Sequence, residues 1–117
     1  MDLKEIIDKQ VAMDICHGFP VSFDSEAEAY AQLSKDLVGL LGEVGEFANI
    51  IKKINIKLDR PKEYELDISV AKEKLGEELA DTFIYMIRLA AILEIDLEKQ
   101  LIDKMQRNEA RYAQLRK

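Results

Sequence analysis

Leu40–Phe47 reads LLGEVGEF: two glutamates three residues apart, set inside an apolar run with helical character. An α-helix turns about 100° per residue, so Glu43 projects among Phe47, Ile50 and Ile54, and Glu46 falls at the margin of that face. Carboxylates are seldom found in an apolar stripe unless something compensates their charge. A lone E-x-x-E is ordinarily the solvated acidic edge of an amphipathic helix. Gly76–Tyr85, GEELADTFIY, changes that reading. There Glu78 and Asp81 repeat the spacing, on the face that carries Leu75, Thr82, Leu89 and Ile92. Two acidic pairs on the inner faces of two helices make a cluster of four carboxylates, which calls for a divalent cation.

Outward from these stretches the chain reads as helix throughout. The first helix is expected from Leu3 to about Ile15, with Leu3, Ile6, Ile7 and Val11 on one side, and Gly18 and Pro20 stop it. Phe19 to Asp24 is a loop whose Phe19 and Phe23 either pack under the next helix or line a pocket. Ser25 and Glu28 fit a capping box that opens a second helix. Its apolar positions Leu33, Leu37, Leu40, Val44, Ala48 and Ile51 keep helical spacing to about Lys57, a length of roughly 45 Å. Gly39, Gly42 and Gly45 lie within it, each costing about 1 kcal/mol against Ala, which suggests close approach by another backbone or by a ligand. The polar DRPKEYELD, Asp59–Asp67, breaks that helix at Arg60-Pro61. Asp67 or Ser69 caps a third helix running to about Leu93. After a turn at Glu94-Ile95-Asp96, with Asp96 as cap, a fourth carries Leu97, Leu101, Met105, Tyr112 and Leu115. No strand, repeat or low-complexity tract is expected. The fold class is all-α, a four-helix bundle-like protomer, with residues 1–117 as a single domain.

Bulk composition narrows the function. The chain is 48% hydrophobic and 34% charged, which suits a helix-rich globular protein and not a disordered one. A net charge of −6 with no Lys/Arg cluster argues against nucleic-acid binding. An acidic protein still binds polyphosphate when metal ions stand between the two sets of negative charges. Cys16 is the only cysteine, so no intramolecular disulfide forms, and Cys16 and the single His17 read as incidental loop residues. No signal pattern and no apolar run of membrane-spanning length is present, so the expectation is a cytoplasmic protein with no membrane partner.

Oxygen ligands without His or Cys favour Mg²⁺, Mn²⁺ or Ca²⁺ over zinc. A di-iron carboxylate bundle needs Glu-x-x-His motifs, and His17 stands in none. On the fourth helix, Lys104, Asn108 and Arg111 share a face and offer the donors that phosphate oxygens take. The plainer account is that their charges favour the helix macrodipole. Tyr85, one turn beyond Asp81, either stacks on a base or ribose or fills the core. Arg88 is expected to be structural, with Asp81 within reach as a partner.

With LLGEVGEF, EELAD and KMQRNEARY in place, the sequence resembles the all-α NTP pyrophosphohydrolases, the MazG-like superfamily that includes small dCTP and dUTP pyrophosphatases. The family's E-x-x-E and E-x-x-D fall on Glu43, Glu46, Glu78 and Asp81, and its later Tyr, K-x-x-x-N and R-Y-like pair on Tyr85, Lys104, Asn108 and Arg111-Tyr112. The resemblance runs from about Leu37 to Tyr112. It departs in the thirty-one residues between Glu46 and Glu78, longer than the family usually shows, and in lacking the tryptophans that line the base pocket of some members. The resemblance implies Mg²⁺-dependent cleavage of a nucleoside triphosphate between the α and β phosphates, with Mn²⁺ as a substitute, in a nucleotide-pool house-cleaning role. Glu43, Glu46, Glu78 and Asp81 would hold the metal, and Glu46 would serve as general base. Tyr85, Lys104, Asn108 and Arg111 would contact substrate, in a homo-oligomer of dimer or tetramer size. Two alternatives stay open: the related phosphoribosyl-ATP pyrophosphohydrolase, and a non-catalytic helical interaction module.

Overall fold

A computed structural model describes all 117 residues. The chain is all-helical, with no strand. Four α-helices follow one another: α1 Leu3–Cys16, α2 Glu26–Asp59, α3 Ile68–Ile92 and α4 Leu97–Arg111, with a 3₁₀ turn at Ala113–Leu115. Side-chain oxygens mark the starts. Asp2 accepts from the Glu5 amide at 2.8 Å, Ser25 from Glu28 at 3.2 Å and Asp96 from Lys99 at 3.0 Å. Asp67 is the cap of α3, its Oδ1 accepting from the amides of Ser69 (2.9 Å) and Val70 (3.3 Å). Each such cap contributes about 1 kcal/mol.

Two helices end alike. Gly18 has φ +83° and Glu94 φ +58°. After α1 the amides of Gly18 and Phe19 donate to the carbonyls of Ile15 and Asp14, and after α3 those of Glu94 and Ile95 donate to Ala91 and Ala90. This left-handed closure satisfies carbonyls that the helix leaves open. Helix α4 stops at Arg111, short of the expected Leu115. The Leu115 amide instead reaches back three residues to the Tyr112 carbonyl, the 3₁₀ bonding by which a helix's last turn tightens.

The chain forms two compact units. One comprises Met1–Ala29 with Ile87–Lys117, the other Tyr30–Met86. In the first, Val21, Ile87, Ala90 and Ile92 are buried beside an ion pair. Arg88 Nη1 donates to Asp14 Oδ2 at 3.3 Å and to the Phe19 carbonyl at 3.3 Å, while Nη2 donates to the Pro20 carbonyl at 3.0 Å. Gln10 Nε2 donates to the second Asp14 oxygen. Arg88 is structural, as expected, but its carboxylate is Asp14, not the expected Asp81. A partner 74 positions away leaves no trace in helical spacing. Of the two loop aromatics, Phe19 is exposed and Phe23 half-buried.

In the second unit, α2 and the first part of α3 run antiparallel, as three contacts along them show. Tyr85 lies over Gly39, Glu78 meets Glu43 and Glu46, and Val70 and Lys74 share a cavity wall with Ile50 and Lys53. The apolar positions of α2 divide into two stripes, not the one expected. Leu33, Leu40, Glu43, Phe47, Ile50 and Ile54 are half-buried, whereas Leu37, Val44, Ala48 and Ile51 are exposed together with Leu41 and Leu58. Residues at spacing three and four fit either stripe of a helix that is apolar on both sides, so the spacing alone merged them.

Candidate metal centre

Glu43 and Glu78 stand in the half-buried stripes of α2 and α3, and Glu46 one turn beyond Glu43 is exposed. The antiparallel register brings the three together, so that one carboxylate oxygen from each lies within 4.8 Å of the others. No cationic side chain enters the group. Glu78 Oε2 is buried and has no hydrogen-bond partner, so any relief must come from a proton shared among the carboxyls or from a cation. Glu43, partial burial and Glu46 push the Glu78 carboxyl up from 4.5 to about 8, so that it holds such a proton. Hydrogen bonding to Glu43 contributes most, then burial, then hydrogen bonding to Glu46 and the repulsion of both charges.

An orphaned carboxylate oxygen beside two further carboxylates is what a hard divalent ion satisfies, and an all-oxygen donor set suits Mg²⁺ or Mn²⁺. The residues present fit such an ion. Asp81, three residues after Glu78 on α3, is exposed and stays outside the three-carboxylate group. Tyr85 is half-buried, and its ring occupies the space a side chain at Gly39 would need: a Cβ there would meet Oη at 2.6 Å. Gly39 is thus explained by packing. Gly42 and Gly45 have nothing within 4 Å of a would-be Cβ, and at Gly39 the neighbour is a side chain, so none of the three is approached by the expected second backbone.

Lys104, Asn108 and Arg111 lie on α4, in the unit formed by Met1–Ala29 and Ile87–Lys117. Lys104 and Arg111 are exposed and Asn108 half-buried, and the Arg111 guanidinium carbon sits 5.1 Å from the centroid of the Tyr112 ring. Lys53 and Lys74 stand on the same two helices as the carboxylates. The sequence carries that placement, since Lys53 follows Glu46 by seven residues and Lys74 precedes Glu78 by four, both helical spacings.

The fold and this centre define a class: an all-helical protein whose acidic residues converge from two antiparallel helices. Residues 33–113 match the sequence profile of the MazG nucleotide pyrophosphohydrolase domain. The chain belongs to the MazG nucleotide pyrophosphohydrolase family. It is 35% identical to dCTP pyrophosphatase 1 of Rattus norvegicus over 85 residues, covering 73% of this chain and 48% of that protein. Against dCTP pyrophosphatase 1 of Homo sapiens the identity is 34% over the same shares. The chain therefore spans about half the length of the curated relatives it matches. No solved structure matches it significantly.

Proposed function

We propose that this chain is a Mg²⁺-dependent nucleoside triphosphate pyrophosphohydrolase, cleaving a (d)NTP between the α and β phosphates to the monophosphate and pyrophosphate. One observation carries the reading: the carboxylates of Glu43, Glu46 and Glu78 converge with a buried Glu78 oxygen that has no partner. Family membership and the likeness to two dCTP pyrophosphatases support it. Glu43, Glu46, Glu78 and Asp81 are the proposed ligands. Bound there, Mg²⁺ would neutralise triphosphate oxygens and acidify the attacking water.

The chain's own residues supply the rest. Glu46 would take the proton of that water, a role that its greater exposure among the three converging carboxylates supports. The half-buried Glu43 and Glu78 would share a proton without the metal and release it on holding the cation. Tyr85 would stack on the base or ribose, and Lys104, Asn108 and Arg111 would hold phosphate or sugar oxygens. The family profile, residues 33–113, runs through both compact units, which supports residues 1–117 acting as one domain. No helix is long and apolar enough to cross a membrane, and the proposed setting is the cytoplasm, with a second copy of the chain as partner.

The test is pyrophosphate release from a panel of dNTPs, NTPs and phosphoribosyl-ATP, with Mg²⁺ and with a chelator. Release from a dNTP that stops with the chelator is expected. Turnover confined to phosphoribosyl-ATP would assign the chain to that related enzyme, and no turnover of any kind would leave a helical interaction module.

A further inference from the structure

The end of the segment that links α2 to α3, Leu66 and Asp67, lines a cavity of about 180 Å³ between the two helices. Ile50, Leu66 and Val70 form apolar walls, and Lys53, Lys74 and Asp67 bring charge to it. The segment is fastened in place. Lys57 Nζ donates to the carbonyls of Pro61 at 2.6 Å and Tyr64 at 2.9 Å, and Asp67 is tied to the first turn of α3.

Lys53 and Lys74 form no ion pair in the structure. Each reaches the cavity from a helix that also carries the acidic centre. Ile50 is four residues beyond Glu46 and Lys74 four residues before Glu78, so the cavity lies about one helical turn, roughly 6 Å, from the carboxylates. Asp67 spends one oxygen on the two α3 amides, and the two ammonium groups leave the cavity with a surplus of positive charge.

We propose that Lys53 and Lys74 bind the pyrophosphate end of the triphosphate, and hold it as leaving group and product. The inference rests on the hydrolase reading above and deepens it. If the carboxylates hold the cation at the α–β anhydride, the two terminal phosphates begin there and extend away from the nucleoside. Their charge needs cations besides the metal, and in a chain of net charge −6 unpaired lysines next to the acidic centre are scarce. Size agrees. At about 30 Å³ per water the cavity holds about six waters, enough for a diphosphate and short of the roughly 300 Å³ at which pockets for whole small ligands begin.

The experiment is calorimetric titration of inorganic pyrophosphate, with Mg²⁺ present, into the full chain and into Lys53→Ala, Lys74→Ala and the double variant. Lys72→Ala, an exposed α3 lysine outside the cavity, is the control, and thermal melts confirm that every variant is folded. Each single change is expected to weaken pyrophosphate binding about ten- to a hundredfold. Mg²⁺ affinity and nucleoside monophosphate affinity should not move. Lys53→Arg should restore most of the lost affinity. Equal pyrophosphate affinity in wild type and double variant would overturn the proposal, as would no pyrophosphate binding by the wild type or a loss that falls on the monophosphate. Because binding is read without turnover, the two readings separate. Lysine-dependent pyrophosphate binding without dNTP cleavage refutes the hydrolase and keeps the site, and cleavage with lysine-independent binding refutes the site alone.

Discussion

Glu78 joins the chemistry of the centre to the stability of the chain. Its carboxyl titrates at 4.5 when unperturbed and at about 8 in the folded protein. Between those values the folded state keeps a proton that the unfolded state has released, so stability falls as pH rises through the window. A cation must displace that proton, which makes metal binding stronger as pH approaches 8 and passes it. Glu78→Gln keeps the shape and removes the charge. It should flatten the decline in the Tm of the metal-free protein between about pH 5 and about pH 8, and raise Tm at the upper end. Hydrolysis should be abolished and Mg²⁺ binding weakened. Melting curves with chelator at the two pH values, with a Mg²⁺ titration, decide it, and equal Mg²⁺ affinity in wild type and variant removes Glu78 from the site. The sequence made Glu43 and Glu78 legible, because a carboxylate in an apolar stripe is conspicuous. It did not separate Gly39 from Gly42 and Gly45. Only the facing ring of Tyr85 does that, and a facing residue is invisible to the period of a single helix.

Local chemistry made the elements easy to read. Ser25, Asp67 and Asp96 cap where expected, and Gly18 closes α1, because each signal acts over a few residues. Long-range pairing was not readable, as Arg88 with Asp14 shows, and neither was the division of α2 into two stripes. The cavity beside Lys53 and Lys74 stayed hidden for the same reason: it needs Leu66 and Asp67 from the connecting segment as well as two helices. Helix α4 offers a prediction of its own. Lys104 and Asn108 share a face one turn apart, while Lys99 is paired with Asp103 at 3.7 Å. If that face contacts substrate, Lys104→Ala removes a charge-assisted contact of about 1.5–3 kcal/mol. A loss of about ten- to a hundredfold in kcat/KM is then expected. Asn108→Ala should resemble it and Lys99→Ala should be silent. Tm and Mg²⁺ affinity should change little, since an exposed lysine contributes little to stability. Steady-state kinetics on the three variants check this, and equal turnover by Lys104→Ala and Lys99→Ala would reduce α4 to scaffold.

At the scale of the molecule, the fate of the apolar side chains matters most. Within Tyr30–Met86 the only buried apolar residue is Ala71. Leu37, Leu41, Val44, Ala48, Ile51 and Leu58 repeat at alternating spacings of four and three residues, interrupted only by Asn55, and all are exposed. That is the pattern of a helix seam seeking a second helix. From Leu37 to Leu58 the seam is roughly 30 Å long. On a helix about 10 Å across it covers on the order of 300 Å², well short of the roughly 800 Å² per partner of a stable interface. The remainder has to come from α3, where Leu79 and Met86 are 58% and 40% exposed. A homo-oligomer held by α2 and α3, a dimer or a tetramer, meets both requirements. Light scattering at micromolar concentration should therefore give a mass of two or four chains. Leu41→Glu with Val44→Glu places charge in the middle of the seam and should shift the mass to one chain, with a lower Tm and reduced turnover. Neither residue belongs to the carboxylate group, so lost turnover without lost mass would mean that the seam acts on the site from within one chain. A wild-type monomer with full activity would show that the seam is not what assembles this protein.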